Sequence, residues 1–335
     1  MPELKQVIAD INKKYGEGTL IQGKDYKHPE VQRVASGSLF LDKCLGMDTD
    51  GVSGWPLGRV VELYGPQMSG KSTIALKTIA EAQKKKMLCA YIDVEKSFDK
   101  ERAQVLGVNT DQLLLSDETM GERVIELCCD LLRSKNVSII VIDSLAGLVP
   151  KAELEVSMED SNRMALVASM MSQGLRKLTS LNENTLIIFI NQLRTNPGAK
   201  YGNPEYTPGG KALGYYASMR VEVRAGDWIV DDKKNRIGHV TKFKITKNKT
   251  ALPYQSGYYK LLYDKGEIDK IDELISMGEL TSVIKRRGPY YYLGDEEQGY
   301  KGKEELYVAL TKDPAIFEKA KGLVFGSKES MGGTE

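Results

Sequence analysis

Two hydrophobic periodicities alternate along the chain, and the points where one gives way to the other outline a fold. Leu4, Val7, Ile8, Ile11 and Tyr15 recur at helical spacing, which predicts a short amphipathic helix ended by Gly16 and Gly18. A polar stretch follows to about Arg33, and this segment is too small to fold alone, so it is expected to pack on another surface such as a neighbouring subunit. From Val34 onward, short apolar runs alternate with helical patterns. Strands are expected at Val60–Tyr64, Leu88–Asp93, Ser138–Asp143 and Thr185–Ile190, and helices at Thr73–Lys84, Gly121–Ser134 and Ser161–Leu178. Near-continuous apolar strands separated by helices imply a mostly parallel sheet covered on both faces. Met219–Arg224 and Val240–Ile245 instead alternate cleanly, which predicts an antiparallel extension with one wet face.

After about Lys265 the pattern changes again: Ile268–Met277 is helical, and Gly288–Tyr292 reads as a turn and strand. The expected organisation is an N-terminal helix and oligomerisation segment over 1–33, an α/β core over 34–265, a small C-terminal α/β domain over 266–325 and a disordered tail over 326–335.

Composition narrows the function classes. The 335 residues are 41% hydrophobic and 28% charged, enough to bury a large core. A net charge of +1 gives no bulk attraction for nucleic acid, so a basic patch must be local. Lys233–Lys249 supplies one, with seven basic residues and no acidic ones; it reads either as a solvated face or as a phosphate-binding surface. No apolar run approaches a membrane span, and Met1–Lys14 lacks the apolar block of a signal peptide, so a cytosolic location and no membrane partner are expected. Cys44, Cys89, Cys128 and Cys129 have no Cys-x-x-Cys spacing and read as buried free thiols. The two histidines, His28 and His239, provide neither a zinc site nor a Ser-His-Asp triad.

The chemistry centres on Gly65-Pro66-Gln67-Met68-Ser69-Gly70-Lys71-Ser72, a G-x-x-x-x-G-K-[ST] phosphate loop between a strand and a helix, followed by Thr73. Its glycines let backbone N–H groups turn toward phosphates, and the helix N-terminus adds positive potential. Lys71 is placed to reach the terminal phosphates of ATP, and Ser72 to ligate Mg2+. Asp143, at the end of an apolar strand, is the matching metal carboxylate. Hydrolysis also needs a group that orients or deprotonates water, and Glu95 and Asp93 both qualify by spacing alone. Gln192 follows the last buried strand. After it, Arg194–Gly210 is a glycine-rich segment without apolar periodicity, which reads either as a functional loop or, from composition alone, as a plain solvent-exposed one. Arg194, Lys200, Tyr201 and Tyr206 suit phosphates and base faces.

These motifs together resemble the bacterial RecA-type recombinases. The resemblance runs from about Ile11 to Gly326 through Ser36-Gly37-Ser38-Leu39, the phosphate loop, Cys89–Glu95, Asp143–Ala146, Lys151–Glu155, Met170–Gln173, Phe189–Arg194, Gly202–Glu205, Gly209-Gly210 and Lys247–Lys249. It implies a RecA-like ATPase fold and a protein that filaments on single-stranded DNA and exchanges strands with double-stranded DNA, in recombination, repair and the SOS response. By this likeness Glu95 is the catalytic carboxylate and Gln192 senses the terminal phosphate. Asp99 lies near the adenine, and Lys247 and Lys249 reach the ATP of a neighbouring subunit. Two loops, roughly 155–164 and 195–209, would line the filament axis, with Ser172, Arg176, Gly209 and Gly210 at DNA-contact positions and Lys211 next to them. Lys285, Arg286, Arg287, Lys301 and Lys303 resemble a duplex-capturing surface. A LexA-like repressor and loading or mediator proteins are the further partners implied. The chain departs from the pattern at Arg102, where an adenine-stacking tyrosine is usual, at Ser169, Lys211 and Tyr215, and in a longer Met47–Trp55. Such departures suit a divergent, phage-encoded member. The alternatives are a hexameric ring helicase on the same core, a small-molecule kinase or a catalytically dead filament scaffold. The kinase has no visible acceptor pocket or arginine-bearing lid, and the scaffold would need a broken ATP centre.

Overall fold

A computed structural model describes residues 2–26, 30–154, 163–196, 204–264 and 266–326. The chain divides into two compact units, Met1–Val31 and Gln32–Glu335. The first unit holds α1 (Pro2–Tyr15), with Leu4 and Val7 exposed, and a loop in which the Asn12 amide side chain bonds both backbone groups of Leu20.

The second unit opens with a two-residue pair, β1 (Arg33–Val34) and β2 (Trp55–Pro56), flanking α2 (Leu39–Leu45). The α/β section follows as β3 (Val60–Gly65), α3 (Lys71–Lys84), β4 (Leu88–Asp93), α4 (Lys100–Val105), β5 (Leu113–Ser116), α5 (Gly121–Ser134) and β6 (Val137–Asp143). Next come the short α6 (Lys151–Leu154), α7 (Arg163–Leu181), β7 (Leu186–Gln192), a two-residue pair β8 (Arg194–Thr195) and β9 (Glu205–Tyr206), and α8 (Ala212–Tyr216). Three long strands, β10 (Met219–Val230), β11 (Arg236–Asn248) and β12 (Ser256–Leu262), complete the main sheet. The chain ends in α9 (Lys270–Leu280), β13 (Ile284–Arg287), β14 (Tyr290–Leu293), β15 (Gly299–Lys301), α10 (Gly302–Lys312) and α11 (Pro314–Gly326).

The main sheet has eight strands in the order β12-β11-β10-β3-β7-β6-β4-β5. From β10 to β5 every pairing is parallel, and β10-β11-β12 is the antiparallel extension. Strand alternation sorts the apolar residues into two layers. Val61, Leu63, Val141, Ile188 and Ile190 pack with α2 and α3, while Val60, Ile140, Ile142, Ile187 and Phe189 pack with α5 and α7. Both faces are therefore covered, which is why the middle stretches of β6 and β7, Ile139–Ile142 and Leu186–Ile190, carry no polar side chain.

Several expected boundaries move for local reasons. The helix after the phosphate loop starts at Lys71, not Thr73, because Gly70 at φ 95° ends the loop two residues earlier. The antiparallel strands are about twice as long as their alternation predicts. Arg194–Gly210 is not wholly irregular, since β8 and β9 pair at its base. The elements after Lys265 contribute Leu274, Ile275, Ile284, Leu293, Leu306 and Val324 to the same apolar cluster as Phe40, Phe243 and Tyr259. The four cysteines are buried and free, and among the described residues no helix is long and apolar enough to cross a membrane.

Candidate functional site

The site forms where the parallel strands end. β3 delivers Gly65 to the sheet edge at the centre of the order, with β7 beside it and β6 and β4 beyond. Gly65 has to be glycine, because a Cβ there would lie 1.9 Å from the Val223 carbonyl oxygen. The loop turns through Met68 at φ 58° and Gly70 at φ 95°, and α3 begins with its free N–H groups facing the loop. Lys71 is buried, and its Nζ donates to the carbonyls of Pro66 at 2.6 Å and Gly65 at 3.2 Å. Burial pulls this ammonium below its ordinary value, with Asp143 and Glu95 pushing it back.

Ser72 and Asp143 meet, with Ser72 Oγ donating to Asp143 Oδ2 at 2.5 Å. Tyr91 OH donates to the same oxygen at 2.6 Å. Burial raises the Asp143 carboxyl, and these two hydroxyls and the Lys71 charge counter it. A hydroxyl and a carboxylate oxygen this close are hard donors of the kind Mg2+ takes, and such a site leaves its remaining positions to phosphates and water.

The geometry separates the two acids that spacing left equal. Asp93 is buried, and its oxygens accept from the backbone N–H groups of Ser97 at 3.0 Å and Phe98 at 2.8 Å, so it shapes the turn. Glu95 is exposed at the mouth of the site, where its Oε1 accepts from Gln192 Nε2 at 2.7 Å and from the Ser144 hydroxyl. The Glu95 backbone is held by its N–H to the Asp143 carbonyl at 3.2 Å. Gln192 stands level with Gly65 in the β3–β7 register, and Leu193 N donates to the Gly65 carbonyl at 2.9 Å. Lys71, Ser72, Asp143, Glu95 and Gln192 thus converge from four elements.

Residues 2–268 match the family model described as the RecA N-terminal domain. Protein RecA of Desulforapulum autotrophicum is 41% identical over 331 residues, covering 98% of this chain and 92% of the relative. Protein RecA of Streptococcus gordonii is 41% identical over 321 residues (94% and 82%), and that of Bacteroides thetaiotaomicron 40% over 324 residues (96% and 96%). The chain belongs to the RecA family. It is accordingly a DNA-dependent ATPase and an ATP-dependent recombinase of DNA repair, and these relatives lend no support to the ring-helicase alternative.

The other positions that the RecA resemblance singles out fall in three groups. Near the phosphate loop, Asp99 caps α4 by accepting from Arg102 N at 2.9 Å. The Arg102 guanidinium donates to the Tyr263 carbonyl at 3.3 Å and lies 5.9 Å from that ring's centroid. Tyr263 OH in turn meets His239 Nδ1 at 2.9 Å, and the second imidazole nitrogen meets Thr241 Oγ1 at 3.0 Å, beside Gly70. Burial, then Arg102, holds His239 below its ordinary value.

A second group surrounds the stems of the two segments that the resemblance assigns to DNA. Arg176 and Arg194 are exposed, Ser172 is half-buried one turn before Arg176 on α7, and Lys211 is exposed at the start of α8. Gly209 at φ 89° and Gly210 at φ 74° press against Leu145 and Ala168, where a Cβ would come within 2.5 Å and 2.8 Å. Leu145, Val149, Val167, Arg194, Tyr206 and Gly209 help line a cavity of about 410 Å³ between the segment after Asp143 and the loop stem. Lys200 and Tyr201, and most of 155–164, lie outside the described residues.

Lys247 and Lys249 form the third group and do not reach this chain's own phosphate loop. Lys247 pairs in register with Arg220, and through it lies level with Glu62, roughly 10 Å down β3 from Gly65. Its Nζ donates to the carbonyls of Gly214 at 2.8 Å and Tyr215 at 3.0 Å at the end of α8. Lys249 N bonds Ser218 O and Ser218 N bonds Val60 O, which sets Lys249 at the far end of β3. Sequence reading missed Ser144, Tyr91 and Tyr263. Tyr91 had a signal, since it lies two residues before Asp93 on the same strand face. Tyr263 had none, because only the fold brings it to Arg102.

Proposed function

We propose that this chain binds ATP with Mg2+ on Gly65–Thr73, polymerises through that nucleotide and works as a filament on single-stranded DNA, in which stretched bases sample a duplex for homology. Glu95 orients and deprotonates the attacking water, and Gln192 reads the terminal phosphate while touching Glu95. Lys71 swings from its loop carbonyls to the phosphates. Ser72 and Asp143 hold the Mg2+, which supplies charge neutralisation on the transferring phosphoryl group. Lys247 and Lys249 complete the site of an adjacent protomer, which agrees with their distance from their own loop. Ser172, Arg176, Arg194, Lys200, Tyr201, Gly209, Gly210 and Lys211 contact DNA, mainly its backbone, and Asp99 and Arg102 border the nucleobase.

The observation that carries this reading is the Glu95–Gln192 hydrogen bond beside the phosphate loop, because Gln192 leads directly into the DNA-loop stem. The test is joint-molecule formation between circular single-stranded DNA and a homologous linear duplex with ATP. Joint molecules that require homology are expected. Unwinding of the duplex without exchange would instead favour a translocating motor.

A further inference from the structure

One face of the central sheet changes character along its length. Near the start of β3 and β7 it is apolar, with Val60, Ile187 and Phe189 under Leu213 and Ala217. Further along, the register puts Arg220, Glu62 and Phe189 on one rung and Glu222, Tyr64 and Asn191 on the rung two residues later, all on that face. Glu62 is 1% exposed and Asn191 0%. Glu62 Oε2 accepts from Arg220 Nε at 2.5 Å, and its Oε1 accepts from Asn191 Nδ2 at 3.0 Å. The same Asn191 amide donates to the Pro208 carbonyl at 3.0 Å, and its Oδ1 accepts from the backbone N–H of Gln192 at 3.0 Å. The Arg220 guanidinium covers the Tyr64 ring at 4.7 Å.

Stability does not call for a carboxylate at this place. Burying an ion pair costs desolvation of both charges, and apolar side chains of similar volume often serve a core as well or better. Val60 and Phe189 fill the adjoining positions of the same layer without polar atoms. The charge does have one structural consequence, which is to fix a neutral amide that has two further partners. One is the backbone of the residue that contacts Glu95, and the other is the turn entering Gly209, Gly210 and Lys211.

We infer that Glu62 is a positioning residue that, through Asn191, locks the Gln192 end of β7 to the Pro208 turn. A displacement of Gln192 by nucleotide then carries the stem of the second DNA loop with it. Arg220 holds the carboxylate in place, and its register partner Lys247 grips the end of α8, so the same network reaches the element on the other side of that turn. This inference rests on the proposed roles of Gln192 and the loop stem.

The test is ATP hydrolysis by the full chain, with and without single-stranded DNA, for wild type, Glu62→Gln, Asn191→Ala and the double variant. DNA-independent hydrolysis is expected to stay within about twofold of wild type, while stimulation by DNA and ATP-dependent DNA affinity fall about tenfold or more, the loss typical of a broken hydrogen bond to a buried charge. Residues acting through one contact make the double variant no worse than the more severe single. Stimulation equal to wild type would overturn the inference, and so would a proportional loss of both activities, the mark of a general folding defect. If Glu62→Gln does not fold, Asn191→Ala removes the same link without disturbing the ion pair and decides the matter alone. A wild-type chain that ignores DNA would overturn the proposed function itself, and with it this inference.

Discussion

At the scale of residues, the site pairs a segment that is contiguous in sequence with a constellation that is not. The phosphate loop is contiguous, so its eight residues were legible from spacing, and the structure adds why Gly65 and Gly70 must be glycine. Spacing alone could not show that Asp93 is taken up by the backbone of the next turn while Glu95 is not, because that depends on how the turn folds. Glu62 was equally hidden, since a polar residue in a short apolar strand looks like a solvent-facing position until the neighbouring strands are known. Two substitutions follow from these positions. Lys71→Ala removes the charge proposed to reach the phosphates and should lower ATP turnover by about a hundredfold or more in a phosphate-release assay. Glu95→Ala should lower hydrolysis by a similar factor or more while ATP-dependent binding to single-stranded DNA, read by fluorescence anisotropy, is retained or prolonged. Rapid DNA-stimulated hydrolysis by Glu95→Ala would remove that residue from its role.

At the scale of elements, sequence periodicity found the strands and helices but misjudged where some of them stop. Alternation in β10 ends at Ala225, where the register with β11 shifts across Gly226 and Asp227 before pairing resumes at Trp228. A bulge of this kind breaks the period of two without ending the strand. The region after Lys265 shows the complementary limit, because a change of pattern marks new elements but not what they pack on. There α9 meets α2 through Glu273, which is buried and accepts from Ser38 Oγ, from Leu39 N at 3.0 Å and from Phe40 N at 3.3 Å. Burial pushes this carboxyl up to about 8 from an ordinary 4.5; the three donors pull it down, and Asp42 adds to the rise. A folded-state value above the unfolded one means the folded chain holds the proton more tightly. The stability it contributes is therefore full below 4.5 and is lost as the pH climbs through 8. Relative to Glu273→Gln, which cannot titrate, the wild type should lose melting temperature steadily between pH 5 and pH 8 and level off above that. A gap that does not change with pH would contradict this.

At the scale of the whole molecule, the chain concentrates its chemistry at the sheet edge where the parallel strands end, as open α/β sheets do. Its net charge of +1 offers DNA no general attraction, so recognition has to be local. In the proposed mechanism, nucleotide and DNA communicate by a short path: phosphate loop, Gln192, loop stem. The measurement that tests it most directly is the rate of ATP hydrolysis by the full chain with and without single-stranded DNA. Marked stimulation by DNA is expected, and it should disappear in Gln192→Ala while slow DNA-independent turnover persists. Hydrolysis that is the same with and without DNA, or stimulation that survives Gln192→Ala unchanged, would contradict it.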